Sequence, residues 1–326
     1  MPDHLTSPRA CRVLLVGAGE IAPAYLDALT HLGVTSVDIL ARSQVSADKR
    51  VSSHRLGRGF GGGGDTLRSI AADYTHIIVA TPVETLLDLL GCAAEHSAAQ
   101  LLVEKPAALS SRQLAHWLQQ FGPARAAVAM NRLFFPSVTT LAQRLASETV
   151  TSAEFSFTEW LHRIEPARYS PATLAKWGLS NCIHVIGTAF HLIGNPERLA
   201  AQQDGGGLVS WHPAGAVFTG AGRSVRQIPF TYASDWRSAG RWSITVRTTS
   251  GSYHLAPMES LQFCRFGQLG FETLVPAPAG PLKCGFAPML RAWLEAAPWP
   301  SGATLPGMLE VVRATESIFG YAPDAH

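Results

Sequence analysis

Two periodicities divide the chain. Up to about residue 105, short unbroken apolar runs alternate with stretches whose apolar residues recur at helical spacing. Cys11–Val16, Val37–Ala41, His76–Ala80 and Leu101–Glu104 have the texture of strands buried on both faces, as in a parallel sheet. Glu20–Leu32 and Glu84–His96 carry the helical spacing between them. The first of these stops at Gly33, a natural C-cap, and holds Pro23 in its first turn, where proline is tolerated. Strands and helices alternating at this length predict a doubly wound parallel sheet of the Rossmann type.

Beyond about Thr140 the texture changes. Ala153–Trp160, Leu208–Trp211, Val217–Thr219, Arg226–Tyr232, Trp242–Thr248 and Ser252–Pro257 read as strands joined by short polar or glycine turns. One long helix, Asn181–Ile193, interrupts them and ends at Gly194-Asn195-Pro196. This predicts an α+β domain with a large, open, mainly antiparallel sheet. The expected boundaries are 1–128 for a dinucleotide-binding domain and 129–326 for a substrate and oligomerisation domain. The C-terminal helix, Gly307–Phe319, closes the structure and is a candidate to pack back on the first domain. Two domains suit 326 residues, long for one hydrophobic core.

Composition narrows the function. With 47% hydrophobic and 15% charged residues the chain is a packed globular protein. A net charge of +2 with no basic stripe argues against nucleic-acid binding. Five scattered cysteines without CxxC spacing fit reduced thiols, and no cluster has metal-ligand spacing. The stretch MPDHLTSPRACR has no apolar signal core, and no apolar run approaches the roughly 18 residues of a membrane span. A soluble cytoplasmic protein is expected.

Gly17-Ala18-Gly19-Glu20-Ile21-Ala22 follows a strand and opens a helix. Gly17 permits the tight turn, and Gly19 lets the backbone approach a pyrophosphate at the helix N-terminus, with Glu20 and Ile21 beside it. Alone the motif is weak, since glycine after a strand is also ordinary turn chemistry. Its strand–turn–helix context favours a cofactor. The second strand ends in Arg42-Ser43, without the acidic residue that usually binds the ribose of NAD. Arginine can pair with a 2′-phosphate and the serine can donate to it, so NADP(H) is favoured and NAD(H) remains open. Thr81-Pro82 ends a strand beside the expected crevice, as a cofactor contact or as a simple terminator. The glycine run Gly57–Gly64 lacks the GK[ST] ending of a P-loop and is expected to be a mobile connection. Glu104-Lys105-Pro106 puts a lysine at the end of a buried strand. Proline restricts the residue before it, and desolvation would bring the ammonium toward catalytic range.

These segments together (strand–GAGEIA–helix at 12–22, VATP at 79–82, VEKP at 103–106 and MNRLFFPS at 130–137) resemble the Gfo/Idh/MocA oxidoreductases over nearly the whole chain. The resemblance implies a Rossmann domain, an open-sheet second domain, a nicotinamide cofactor, and hydride transfer on sugars or related alcohols. By it Lys105 is catalytic, next to the nicotinamide, with Glu104 beside it. The family's Asp-x-x-x-His element falls on Ser180-Asn181-Cys182-Ile183-His184. His184 is kept as the second catalytic residue, but the aspartate has become Ser180, which puts a family-like proton relay in doubt. Asn181 is a candidate to take part of that job or to position a substrate hydroxyl. His191, two turns or about 10 Å along the helix, is expected to be structural. Segments 155–162, 177–194 and 235–262 are similar to a subgroup of surface-polysaccharide synthesis, which implies a nucleotide-sugar or amino-sugar substrate. Trp160, His162, Trp177 and Arg241 are then candidate contacts, the aromatics for a sugar face and arginine for phosphate or carboxylate, with core packing the competing role for the tryptophans. The leading expectation is a homo-oligomeric sugar dehydrogenase or reductase. A non-catalytic nicotinamide or sugar sensor and an imine reductase are the alternatives.

Overall fold

The structure is a computed structural model, and it describes residues 11–123 and 125–321. Residues 1–10, part of the stretch read for a secretion signal, lie outside the described residues. No helix among the described residues is long and apolar enough to cross a membrane. The chain forms two compact units, and the division is not a single cut. The first takes the described residues through Ala108 with Gln113–Asn131 and Gly280–Pro306; the second takes Leu109–Arg112, Arg132–Ala279 and the residues from Gly307 on.

The first unit is built on six strands: β1 (Val13–Val16), β2 (Val37–Leu40), β3 (Gly59–Phe60), β4 (His76–Val79), β5 (Gln100–Glu104) and β6 (Ala126–Ala129). They lie in the order β3-β2-β1-β4-β5-β6, and every pairing is parallel. Helices α1 (Ala22–His31), α2 (Gln44–His54), α3 (Gly63–Ile70), α4 (Leu86–His96) and α5 (Ser111–Phe121) connect them. The four residues of β1 are all buried, as the central strand of a doubly covered sheet must be. From β1 the chain runs out to β2 and β3, then returns to its other side at β4. That reversal creates a crevice at the carboxyl ends of β1 and β4, the usual ligand position in such sheets.

The glycine run at 57–64 is ordered, contrary to the expectation of a mobile connection. Gly59 and Phe60 add β3 to the sheet beside Ile39 and Leu40, and α3 starts at Gly63. The Gln44 side chain clamps the turn, donating to Gly59 O at 2.8 Å and accepting from Gly61 N at 2.8 Å. A side chain on Gly59 would stand 2.5 Å from Asp48 Oδ1, so close packing explains a glycine there.

The second unit contains β7 (Val150–Phe157), β8 (Pro196–Asp204), β9 (Val217–Ser224), β10 (Pro229–Asp235), β11 (Trp242–Thr248), β12 (Gly251–Leu255), β13 (Leu261–Arg265) and β14 (Glu272–Val275). Their order is β14-β13-β12-β11-β7-β10-β9-β8. All pairs are antiparallel except β7 with β10. The other elements are α6 (Pro136–Leu145), α7 (Pro171–Ala175), a π-helical turn at Gly178–Cys182, and α8 (Ile183–Ile193) that continues from it. Helix α8 packs on β7 and β11, where Phe155 meets Phe190 and Tyr232. Helix α9 (Phe286–Leu294) belongs to the first unit and packs on α1, with Tyr25 and Phe286 edge to face at 5.1 Å. Helix α10 (Leu305–Phe319) falls mainly in the second unit.

Leu208–Trp211, expected as a strand, is instead a run of turns. Its aromatic residue serves a different end: Trp211 stacks on Trp236 and meets the ring of His212. His212 is fully buried and joins a hydrogen-bond chain. Its Nδ1 lies 2.8 Å from Gly215 O, its Nε2 2.7 Å from the Tyr321 hydroxyl, and Gly178 N donates to that hydroxyl at 2.8 Å. A neutral imidazole donating through Nδ1 and accepting through Nε2 fits this chain, and it ties the start of the π-helical turn to Tyr321. Burial pulls His212 down to about 4 from its ordinary 6.5. The unfolded chain therefore binds the extra proton first, and stability is lost as pH falls from 6.5 toward 4. The full difference is about 3 kcal/mol. Denaturant unfolding at pH 7.5 and 4.5 should show this loss in the native protein and a correspondingly smaller one in His212→Gln; equal losses would remove His212 from the account.

Candidate active site

The crevice of the first unit opens into a cavity of about 950 Å³. Gly17 and Gly19 to Ile21 line it from the first turn, Arg42 and Ser43 from the end of β2, and Thr81 and Pro82 from the end of β4. Eight of the ten residues expected to hold a cofactor thus meet in one wall. The sequence reading missed Gly62, Gly63 and Gly64, which line the same cavity. Their signal was present, but a glycine run without the P-loop ending gave no reason to fold it back beside β2.

The two glycines of the first turn have different reasons for being glycine. Gly17 has φ +123°, and a Cβ there would lie 2.2 Å from Ala80 O, so the fold itself requires it. A Cβ on Gly19 would meet nothing within 4 Å. The fold does not require that residue to be glycine; a ligand approaching the backbone would. Helix α1 begins just beyond with no side-chain cap at its N-terminus. Ala22 N and Ala24 N already donate to Gly19 O and Ile21 O, and Pro23 has no N–H, so α1 offers an anion the positive end of its dipole, and the open backbone of the turn at Gly19 lets a pyrophosphate come close. Arg50 steadies the turn from α2 by donating to Ala18 O at 3.1 Å and Gly19 O at 3.2 Å.

At the end of β2, Arg42 and Ser43 are both exposed at the cavity. The Ser43 hydroxyl also caps α2, accepting from Ser46 N at 3.2 Å. The only acid on β2, Asp38, is turned away from the cavity, accepting from Arg58 N and from the Tyr74 hydroxyl, each at 2.7 Å.

Glu104 and Lys105 lie outside the cavity wall, one strand further along the same sheet edge. The register Val79↔Val103 sets the carboxyl end of β5 beside that of β4. Both residues are half-buried, and the Lys105–Pro106 peptide is cis. The Tyr25 hydroxyl on α1 donates to Glu104 Oε1 at 2.6 Å. Burial pushes the Glu104 carboxyl up, while Lys105, the tyrosine hydrogen bond and Lys283 hold the rise down.

The candidate substrate residues gather in the second unit. His184 is buried on α8, its ring 6.0 Å from that of Trp242. Asn181 donates to Glu159 Oε1 at 2.8 Å. Trp160, half-buried, donates through its indole N–H to Gly240 O at 2.7 Å. The Trp160 ring is not a bare sugar platform, because the guanidinium groups of Arg163 and Arg241 each lie 4.7 Å from its centre. Arg241 also lies 4.9 Å from the ring centre of Trp242, and Arg132 4.8 Å. His162, exposed, stacks on Trp160 at 6.0 Å. Trp177 is core, wedged between Tyr169 and Trp211. The Ser180 hydroxyl turns back on the preceding backbone, its one proton shared between the carbonyls of Thr173 on α7 and Lys176, each at 3.3 Å. Glu159 was missed entirely; the one signal was a carboxylate closing an aromatic strand, FSFTE. Among the described residues no group of three or more His, Cys, Asp or Glu is placed to hold a metal ion.

No protein-family model matches the chain, and neither does any curated protein. Solved structures do. An oxidoreductase from Agrobacterium radiobacter, in complex with NAD+, L-tartaric acid and magnesium, is similar at TM-score 0.78 and 16% identity over 95% of both chains. A dehydrogenase from Clostridium difficile matches at TM-score 0.74 and 17% identity, over 96% of this chain and 100% of its own. Levoglucosan dehydrogenase, in complex with NADH and levoglucosan, matches at TM-score 0.75 and 16% identity, over 95% and 96%. At these identities the likeness establishes a shared α/β fold.

The two glycines separate structure from binding. Gly17→Ala should lower stability by at least about 2 kcal/mol, because of backbone strain and the contact with Ala80. Gly19→Ala should leave the melting temperature unchanged yet weaken binding of a nicotinamide dinucleotide. Calorimetric melting paired with a fluorescence titration of NADPH checks both; a Gly19→Ala protein that binds like the native one would remove the pyrophosphate from this turn.

Proposed function

We propose that the chain is a nicotinamide-dependent oxidoreductase that moves a hydride between the dinucleotide and a carbinol carbon of a sugar. The observation that carries this reading is the cavity at the carboxyl ends of β1 and β4, where Gly19 leaves open space before an uncapped helix N-terminus. When bound, the dinucleotide supplies a carbon that accepts or gives the hydride. The chain's own residues do the rest. The glycine turn and the positive end of the α1 dipole bind the pyrophosphate, and Arg42 with Ser43 takes the adenosine 2′-phosphate, which favours NADP(H) over NAD(H). Lys105 polarises the reacting oxygen or takes its proton, and His184 assists that transfer. Among the neighbours, some hold NAD+ or NADH, levoglucosan dehydrogenase also holds levoglucosan or L-sorbose, and one from Desulfitobacterium hafniense is described as NADPH-dependent. For this chain the substrate reading goes further, to a nucleotide sugar or amino sugar, supported by the arginines around Trp160 and Trp242. The protein is taken to be cytoplasmic. Self-association belongs to the same reading, supported by the open sheet and by Phe266, Leu269 and Phe271, exposed next to its outer strands.

A second reading has one observation behind it. Ser180 bonds backbone carbonyls and offers no carboxylate to a proton relay. Reduction of a carbon–nitrogen double bond needs only an acid near the hydride and tolerates that serine better.

Fluorescence titration with NADPH and NADH tests the cofactor. NADPH should bind the more tightly, and Arg42→Ala should weaken NADPH about 10- to 100-fold with little effect on NADH. Failure of the native protein to bind either would end the oxidoreductase reading. Lys105→Ala should leave NADPH binding intact and lower turnover about 10²- to 10⁴-fold in a sugar screen. Turnover that persists in this variant would exclude Lys105 from the chemistry.

A further inference from the structure

Glu159 follows β7 by two residues and is 3% exposed. One of its oxygens is crowded. Oε1 accepts from Asn181 Nδ2 at 2.8 Å, from Trp242 Nε1 at 3.3 Å and from Cys182 Sγ at 3.3 Å. Oε2 accepts from none of the described residues, and it is not sealed from solvent. Nor does a cation close on the carboxylate. Arg241 favours its charged form from a distance without forming an ion pair, and burial pushes the carboxyl above its ordinary range.

A carboxylate built for structure looks different, and the same unit holds one. Glu148 takes the Tyr253 hydroxyl on Oε1 and the hydroxyls of Thr248 and Ser250 on Oε2. Both of its oxygens are satisfied, and hydrogen bonding holds it below the ordinary range despite partial burial. Glu159 has the same number of donors on one oxygen and none on the other. Its second oxygen is left to solvent, where water or a ligand hydroxyl can donate to it. Three candidate substrate residues gather around it: Asn181 on Oε1, Trp160 next in sequence, and Arg241 on the Trp160 ring; Trp242, which donates to Glu159, has its ring 6.0 Å from that of His184.

We propose that Glu159 is the substrate-facing carboxylate of the second unit, with Oε1 fixed by Asn181, Trp242 and Cys182 and Oε2 accepting a hydrogen bond from a sugar hydroxyl. It provides the carboxylate that residue 180 lacks, from a strand end instead of from the helix that carries His184. The choice of a sugar as ligand rests on the oxidoreductase reading; the open oxygen does not.

Glu159→Gln isolates the claim. It keeps the Oε1 acceptor and the shape, but turns Oε2 into a donor and removes the charge. Three probes are used in calorimetric titration: UDP-N-acetylglucosamine, glucuronate and glucose, which separate phosphate, carboxylate and neutral sugars. The native protein should bind at least one. Glu159→Gln should melt at the same temperature or higher, since it relieves a buried charge, and bind that probe about tenfold more weakly or not at all. A variant that melts several degrees lower with unchanged affinity would make Glu159 structural and overturn the proposal, as would a native protein that binds none of the three. NADPH titration of both proteins keeps the two ideas apart. Both should bind it equally, and loss of NADPH binding in the native protein would strike the cofactor reading while the sugar titration still decides Glu159.

Discussion

The close passage of Gly17 against Ala80 is the constraint on which the first unit depends. The end of β1 is fastened to both neighbours, with Gly17 N donating to Leu40 O and Ala80 N donating to Val16 O, each at 2.8 Å. The chain must then leave the sheet directly over β4, so closely that a side chain would overlap the Ala80 carbonyl. Only a residue without Cβ, in a left-handed conformation, can make that turn. Because it does, α1 starts at the edge of the crevice with its N-terminus open, and the ends of β2 and β4 face the same space. The crevice at the carboxyl ends of β1 and β4 follows from this single steric requirement and the parallel sheet behind it.

The second unit is organised differently. Its core is aromatic, with Phe155, Phe157, Phe190, Phe230 and Tyr232 interlocked between β7, β10 and α8. Polar groups are admitted where they hold the π-helical turn that precedes α8. His212 and Tyr321 anchor its first residue, and Glu159 receives Asn181 and Cys182 from its end. The turn is thus gripped at both ends by hydrogen bonds that the sheet and the C-terminal residues supply. His184 follows it directly, so its direction is inherited from this grip.

Much of the first unit was legible because buried parallel strands and amphipathic helices leave opposite patterns in sequence. The turn glycines, Arg42-Ser43 and Thr81-Pro82 all fell where the strand ends put them. The short strand at Gly59–Phe60 was not legible, since two residues have no periodicity and their order comes from a glutamine side chain 15 residues away. In the second unit β8 was invisible because an edge strand reading PERLAAQQD is mostly exposed and carries no apolar alternation. Leu208–Trp211 misled in the opposite sense: Trp211 belongs to an aromatic cluster brought together by turns, and Leu208 is exposed. Glu159 could not be read at all, because its partners lie 22 to 83 residues away and no local pattern marks a carboxylate that is buried with one oxygen open.

The central claim is that a nicotinamide dinucleotide lies across the β1–α1 turn. The most direct measurement is a crystal structure of the protein grown with NADPH. The account predicts the pyrophosphate against the backbone of the turn at Gly19 and the adenosine 2′-phosphate at Arg42. A dinucleotide bound elsewhere, or a crevice still empty at saturating NADPH, would contradict it.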